Sequence, residues 1–279
     1  MITSEYFKPG ATACITGASS GIGRAAALMC AAKGMHVFLV DIDKDDLKAA
    51  EKLVISEKAT NESQKIQAIV ADVADEKAMV SVAEEVFAAT GECNFLFNNA
   101  GIGQGGGALT DMDVVHKVMG VNTYGPIHGC LAFVPKMKDS GKPGLIINTG
   151  SKQGITMPPG NLTYNVSKAA LKAYTEGLEH ELRKERAESG GQLRAALLIP
   201  GWVNTSIVLK VEKEKSKDEG KSFDKDSVFF HEDKPAGGAW MPSQVVDFLL
   251  QELDKGRFYV VCPDNDVDRE TDNLRMLWT

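Results

Sequence analysis

Thr16-Gly17-Ala18-Ser19-Ser20-Gly21-Ile22-Gly23 closes a short apolar run, Ala11 to Thr16, and opens a segment, Gly21 to Lys33, that repeats alanines and leucine at helical spacing. Strand, tight turn and helix meet here. Glycines at such a junction let backbone N–H groups approach a pyrophosphate at a helix N-terminus. The next apolar run, Met35 to Asp41, ends on a carboxylate eighteen residues beyond Gly23. A glycine triplet alone equally fits a turn that binds nothing. With Asp41 at that distance it points to a dinucleotide held by Gly17, Ser19, Ser20, Gly21, Ile22 and Gly23.

Outward from this turn the alternation runs the length of the chain. Helical spacing over Asp45 to Lys58, Asp75 to Ala89, Asp111 to Met137, Leu162 to Arg186 and Ser243 to Lys255 separates apolar runs at Ile66 to Ala71, Cys93 to Asn98, Gly144 to Thr149, Leu193 to Ile199 and Phe258 to Val261. The long helix Asp111 to Met137 is expected to bend near Pro126. Strands that read as continuous apolar runs are buried on both faces, and the helices between them supply the crossovers that parallel strands require. The expectation is an α/β fold, a doubly wound parallel sheet of about seven strands, formed by residues 1–279 as a single domain. A stretch crowded with Lys, Asp and Glu, Glu212 to Lys234, still holds Phe223, Val228, Phe229 and Phe230. It reads as a solvated loop or as a substrate lid, an insertion spanning about 205–241.

Asp41 also discriminates between cofactors, because a carboxylate accepts hydrogen bonds from ribose hydroxyls and repels a 2′-phosphate. NAD is therefore expected over NADP, with Lys44 near enough to offset part of the repulsion. A simple turn cap remains the structural alternative for Asp41.

Composition narrows the classes further. In 279 residues, 31 basic and 38 acidic side chains leave a formal charge of -7, so no large basic surface is available to nucleic acid. Cys14, Cys30, Cys93, Cys130 and Cys262 lie far apart without a C-x-x-C pair and read as buried thiols of a reducing, cytoplasmic compartment. Met1 to Gly10 lacks the features of a signal peptide, and no apolar run reaches membrane-spanning length, so no membrane partner is expected. Sequons stand at Asn61, Asn161, Asn165 and Asn204, three of them in or beside the expected site, where a glycan would obstruct it.

Competing motifs fare poorly. Gly17-Ala18-Ser19-Ser20-Gly21 matches a hydrolase nucleophile elbow, yet the only histidine after His180 is His231, in the charged stretch, and Asp41 and Asp72 alone close strands before it. Gly220-Lys221-Ser222 resembles the end of a P-loop, but Lys215 stands where its first glycine belongs. His180-Glu181 would need a histidine at position 184, which is lysine. No metal site is expected.

Tyr164-Asn165-Val166-Ser167-Lys168 puts a phenol and an ammonium on one face of a helix start. A phenol of pKa about 10 is a poor base near neutrality, and a nearby cation is expected to lower that value. Ser151, just past the fifth strand, is placed to hydrogen-bond a substrate oxygen.

Together these motifs make the chain resemble the short-chain dehydrogenase/reductase family, over nearly its whole length to about Thr205. Thr16 to Gly23 matches the glycine motif, Asn98-Asn99-Ala100-Gly101 the fourth-strand motif, and Asp72-Val73 the pair that contacts adenine. Asn122, Ser151, Tyr164 and Lys168 match the catalytic tetrad, while Pro200, Gly201, Val203 and Thr205 match the segment covering the nicotinamide. The resemblance implies a Rossmann-type fold and an NAD-dependent oxidoreductase acting on a small alcohol or ketone. In it Tyr164 gives or takes the substrate proton, and Lys168 binds the nicotinamide ribose and lowers the tyrosine pKa. Ser151 orients the substrate, and Asn122 kinks the fourth helix and holds a water that links Lys168 to solvent. It also implies a homodimer or homotetramer, for which Leu171, Tyr174, Leu178 and Leu182 offer a stripe that could equally pack on its own sheet. An NAD-binding regulator or scaffold, or a non-redox reaction, fits the same fold, but binding alone does not require Tyr164 and Lys168 together. The chain departs from common members in its five glycines between Gly101 and Gly107 and in the charged stretch, where the family builds its substrate pocket. From position alone, Gln153, Asn161 and Trp202 are substrate candidates beside Ser151.

Overall fold

The computed structural model describes residues 2–103, 105–207 and 238–263, together with 216, 220, 222, 267, 268, 270–272 and 274. Most of the insertion expected at about 205–241, with Phe223, Val228, Phe229 and Phe230, lies outside the described residues. Strands β1 (Thr12–Thr16), β2 (His36–Asp41), β3 (Ile66–Val70), β4 (Phe95–Asn98), β5 (Gly144–Thr149), β6 (Leu193–Ile199) and β7 (Tyr259–Val261) form one sheet in the order β3-β2-β1-β4-β5-β6-β7. Every neighbouring pair is parallel.

Burial on both faces follows from the apolar runs. Along β1, Ala13 and Ile15 face one core with α1 (Gly21–Ala32), α2 (Lys44–Lys58) and a C-terminal helix over Pro242–Asp254, while Cys14 faces the other. Val37 and Leu39 of β2 alternate with Phe38 and Val40 in the same way. The second core is closed by α3 (Glu76–Thr90), α5 (Gly125–Asp139) and α7 (Leu162–Ser189), with Phe133 and Met137 fully buried there. Each such side chain contributes about 1.5–3 kcal/mol by leaving water, so the two-faced pattern dominates the choice of fold. The edge strand β3 is half-buried from Ile66 to Ile69 and ends on an exposed Val70.

The elements that frame the site differ from expectation in two places. The helix expected over Asp111 to Met137 is α4 (Met112–Met119), a π-helical turn at Gly120–Tyr124, and α5. The irregularity is centred on Asn122 and not on Pro126, which lies in the first turn of α5, where proline is tolerated. Asn122 is fully buried, and its amide turns inward to bond other backbone, which a regular helix would not allow at that depth. A short helix, α6 (Gln153–Thr156), was also not expected after β5. The helix at Pro242–Asp254 becomes α8.

The apolar stripe on α7 belongs to the molecule's own core. Leu171 and Leu182 are buried, and Tyr174 and Leu178 pack against the second cluster.

Candidate active site

Strand order reverses between β1 and β4, so the turns leaving them splay to opposite sides and open a crevice at their carboxyl ends. Into this crevice points the start of α1. Where α2, α3 and α4 are capped by Asp43, Asp75 and Asp111, the Ser20 side chain makes no cap bond to its own helix. It meets Ser206 instead, at 2.8 Å. The glycines are required by contact. A Cβ on Gly23 would lie 2.1 Å from the Gly17 carbonyl oxygen, and one on Gly17, whose φ is +65, would lie 2.8 Å from the Ala100 Cα. The Ser19 hydroxyl is buried in the turn with no hydrogen-bond partner among the described residues. A buried hydroxyl of that kind, beside uncapped helix N–H groups, fits an anionic, oxygen-rich ligand.

At the end of β2, the Asp41 carboxylate accepts from the Ser19 and Asp43 N–H groups, each at 3.1 Å. Ile42, next to it, is 66% exposed despite its apolar side chain, a feature not singled out in the sequence. Asp72 caps its own turn by accepting from the Ala74 N–H, while Val73 packs where a Cβ on Gly125 would sit 2.7 Å from its methyl group. Asn99 ties three strand ends together. Its N–H and that of Ala100 donate to the Thr16 hydroxyl, its amide donates to the Thr16 carbonyl, and its carbonyl accepts from the Thr149 hydroxyl.

Gly101 brings the chain over Asn122 and Lys168: a Cβ there would meet Asn122 Oδ1 at 3.4 Å and Lys168 Nζ at 3.5 Å. Both ends of the Asn122 amide clamp the backbone of Ile102, and its Nδ2 also reaches the Ser167 hydroxyl. Lys168 is buried, donates to the Thr149 carbonyl at 2.8 Å, and lies 5.8 Å from the centre of the Tyr164 ring. Ser151 stands beside Tyr164 and favours the ionised form of its hydroxyl.

The electrostatics here overturn one expectation. Burial pushes the Tyr164 hydroxyl above the usual phenol value, and Ser151 offsets only part of that rise. Burial likewise brings the Lys168 ammonium down to about 8. The expected lowering of the phenol by its lysine is therefore not what the chain by itself produces. Loss of water disfavours both charges more than their mutual field favours them.

Of the substrate candidates, Gln153 and Asn161 are brought together. Asn161 Nδ2 donates to Gln153 Oε1 at 3.2 Å, and the Gln153 N–H donates to the Ser151 hydroxyl. Gly105 is pressed against this pair, since a Cβ on it would fall 1.7 Å from Asn161 Oδ1 and 3.2 Å from the Tyr164 Cβ. That contact explains one of the five glycines. Trp202 is 61% exposed on the segment after β6, beside Val203, which bridges to Trp240. Thr205 lies against the glycine turn, 3.0 Å from where a Cβ on Gly21 would be. The Pro200 carbonyl accepts from the Lys152 N–H, and Gly201 follows it. Among the described residues no group of three or more His, Cys, Asp or Glu is disposed to hold a metal ion, and no helix is long and apolar enough to cross a membrane.

A family model described as short chain dehydrogenase matches residues 11–216. The chain belongs to the short-chain dehydrogenase/reductase family. It is 34% identical over 199 residues to 1-deoxy-11-beta-hydroxypentalenate dehydrogenase of Streptomyces avermitilis, covering 70% of each chain. It is 27% identical over 259 residues to the uncharacterized oxidoreductase YxbG of Bacillus subtilis, covering 92% of this chain and 89% of that one. Among solved structures it is similar to a short-chain dehydrogenase/reductase from Burkholderia phymatum in complex with NAD, with a TM-score of 0.76 and 29% identity over 92% of this chain and 89% of that one. A metagenomic short-chain oxidoreductase in complex with NADP gives a TM-score of 0.67 and 25% identity, covering 91% of this chain and 97% of that one. The doubly wound fold and the oxidoreductase class follow from this membership. The choice of nicotinamide cofactor does not, since both kinds of complex occur among these neighbours.

Proposed function

We propose that this short-chain dehydrogenase transfers a hydride between NAD(H) and a secondary alcohol or ketone, with Tyr164 as the proton-transfer acid/base. The observation that carries the reading is a buried Lys168, tied to the Thr149 carbonyl at 2.8 Å and 5.8 Å from the centre of the Tyr164 ring, at a crevice suited to a dinucleotide. The name of the Streptomyces avermitilis relative, built on a hydroxylated compound, supports the alcohol class.

The residues divide the work by position. Gly17, Ser19, Ser20, Gly21, Ile22 and Gly23 hold the pyrophosphate with backbone N–H groups and the buried Ser19 hydroxyl, and Asp41 accepts from the adenosine ribose. Asp72 and Val73, joined by Ile42, border the adenine; Asn99, Ala100, Gly101, Pro200, Gly201, Val203 and Thr205 border the nicotinamide half, and Lys168 reaches its ribose. When bound, NAD supplies the hydride acceptor and a positively charged ring. Tyr164 takes the carbinol proton in oxidation and returns it in reduction, while Ser151 holds the same oxygen. The clamp of Asn122 on Ile102 and Ser167 supports a positioning role for that residue. Gln153, Asn161 and Trp202 contact the rest of the substrate. No metal takes part.

Oxidation is the favoured direction, because Asp41 selects the cofactor used mainly as an oxidant. Five free, buried cysteines support a reducing cytoplasmic setting. Exposed Tyr124 at the end of the π-helical turn and Leu131 on α5, with Leu162 and Val166 on α7, support a homodimer or homotetramer.

The test is the appearance of reduced-nicotinamide absorbance with a panel of secondary alcohols, steroids and aryl carbinols, run with NAD and with NADP. Turnover with NAD is expected; no response to any member would oppose the reading. The proton path has its own signature. Because Ser151 lowers the Tyr164 pKa, Ser151→Ala raises it further and leaves less phenolate at any given pH. The rising alkaline limb of kcat for oxidation therefore moves to higher pH in this variant. A midpoint that stayed in place would remove Ser151 from the path.

A further inference from the structure

The residue after Ser151 carries a buried charge that the proposed reaction does not use. Lys152 Nζ lies 2.5 Å from Asp272 Oδ2, with side chains only 11% and 3% exposed. The two are 120 positions apart, and Asp272 belongs to the segment beyond β7, in a region the sequence analysis passed over. Lys152 is also fixed through its backbone. Its N–H donates to the Pro200 carbonyl, and its own carbonyl accepts from the N–H groups of Ile155 and Thr156 and from the Thr156 hydroxyl. The turn thus held contains Ser151, whose hydroxyl accepts from the Gln153 N–H, and it passes within contact of Lys168 at Gly154, where a Cβ would sit 2.7 Å from the lysine backbone.

A buried ion pair is a weak source of net stability but a strong source of specificity, because removing one partner leaves the burial of the other less well compensated. Taken with the anchoring of the turn, this gives Asp272 a purpose. We infer that Asp272 is a positioning residue which, through Lys152, docks the C-terminal segment onto the β5–α6 turn and sets the Ser151 hydroxyl and the Gln153 side chain against the substrate. The inference rests on the proposed hydride transfer for its effect on rate, and on geometry alone for the tether.

Three variants and two readouts test it. Asp272→Asn should lower kcat for alcohol oxidation about 10- to 100-fold, the scale of a small misplacement of reacting groups, with the KM for NAD within about twofold of wild type. Asp272→Glu, keeping the charge, should recover most of the rate. The double variant Lys152→Met with Asp272→Leu removes both charges. It should regain the thermal midpoint lost by Asp272→Asn while kcat stays low, a separation that a purely structural role would not produce. Amide exchange of residues 152–156, followed by mass spectrometry in the full chain, should quicken about tenfold in Asp272→Asn whether or not a substrate is in hand. Unchanged exchange would overturn the tether. A double variant with wild-type kcat would overturn the positioning role. Faster exchange in a chain whose wild type turns over no alcohol would uphold the tether and count against hydride transfer instead.

Discussion

Replacing Tyr164 by phenylalanine lowers turnover by about two to four orders of magnitude, the scale expected when a general acid/base is lost. The change removes one oxygen and leaves in place the Tyr164 Cβ that lies against Gly105, so the shape of the site is kept. The Ser151 hydroxyl still accepts from the Gln153 N–H at 3.2 Å. NAD affinity is expected to change little, because on the proposed reading the glycine turn and Asp41, at the ends of β1 and β2, would hold the pyrophosphate and adenosine ribose. The burial that raises the phenol and depresses the lysine sharpens this expectation. The phenol does not ionise readily in the chain alone, and on the proposed reading a positive nicotinamide ring, when bound, would favour its ionised form. Turnover is read from initial rates of nicotinamide reduction and affinity from quenching of protein fluorescence. Retention of substantial activity would remove Tyr164 from the chemistry.

Asp41→Ala shifts the preference from NAD towards NADP by about 10- to 1000-fold in the ratio of kcat/KM. A unit charge about 4 Å from another, at an effective dielectric near 20, costs on the order of 4 kcal/mol, or about three powers of ten. The lower end of the range reflects screening by salt and by Lys44 at a partly exposed position. The substitution also frees the Ser19 and Asp43 N–H groups that now donate to the carboxylate, and these can turn to a phosphate. Part of the loss in NAD binding has the same origin, since two ribose hydroxyls lose their acceptor. Parallel assays with the two cofactors decide the matter. An unchanged ratio would reduce Asp41 to a cap on its own turn.

How much of this could be seen in the sequence depends on the range of the interaction. Period-two burial on β1 and β2 and the glycine turn are local, and both lie where the residues indicate. The π-helical turn at Gly120–Tyr124 was legible only through the resemblance, which puts a kink at Asn122; the helical spacing and Pro126 pointed elsewhere, because the bond of Asn122 to Ile102 across a loop leaves no mark in the local pattern. The reversal of the Tyr164 shift was hidden for a related reason. Spacing along a helix brings two groups to one face but says nothing of how much water they lose there. Lys152 and Asp272 are ordinary charges in the chain, and only the fold buries them against each other. Thr149, whose carbonyl holds Lys168, offered no signal beyond ending an apolar run.

The most direct measurement is isotopic. A secondary alcohol carrying deuterium on its carbinol carbon, turned over with NAD by the wild-type enzyme, should yield reduced cofactor with one deuterium on the nicotinamide ring, as mass spectrometry would register. Reduced cofactor without the label, or product formed with no reduction of NAD, would contradict hydride transfer at this site.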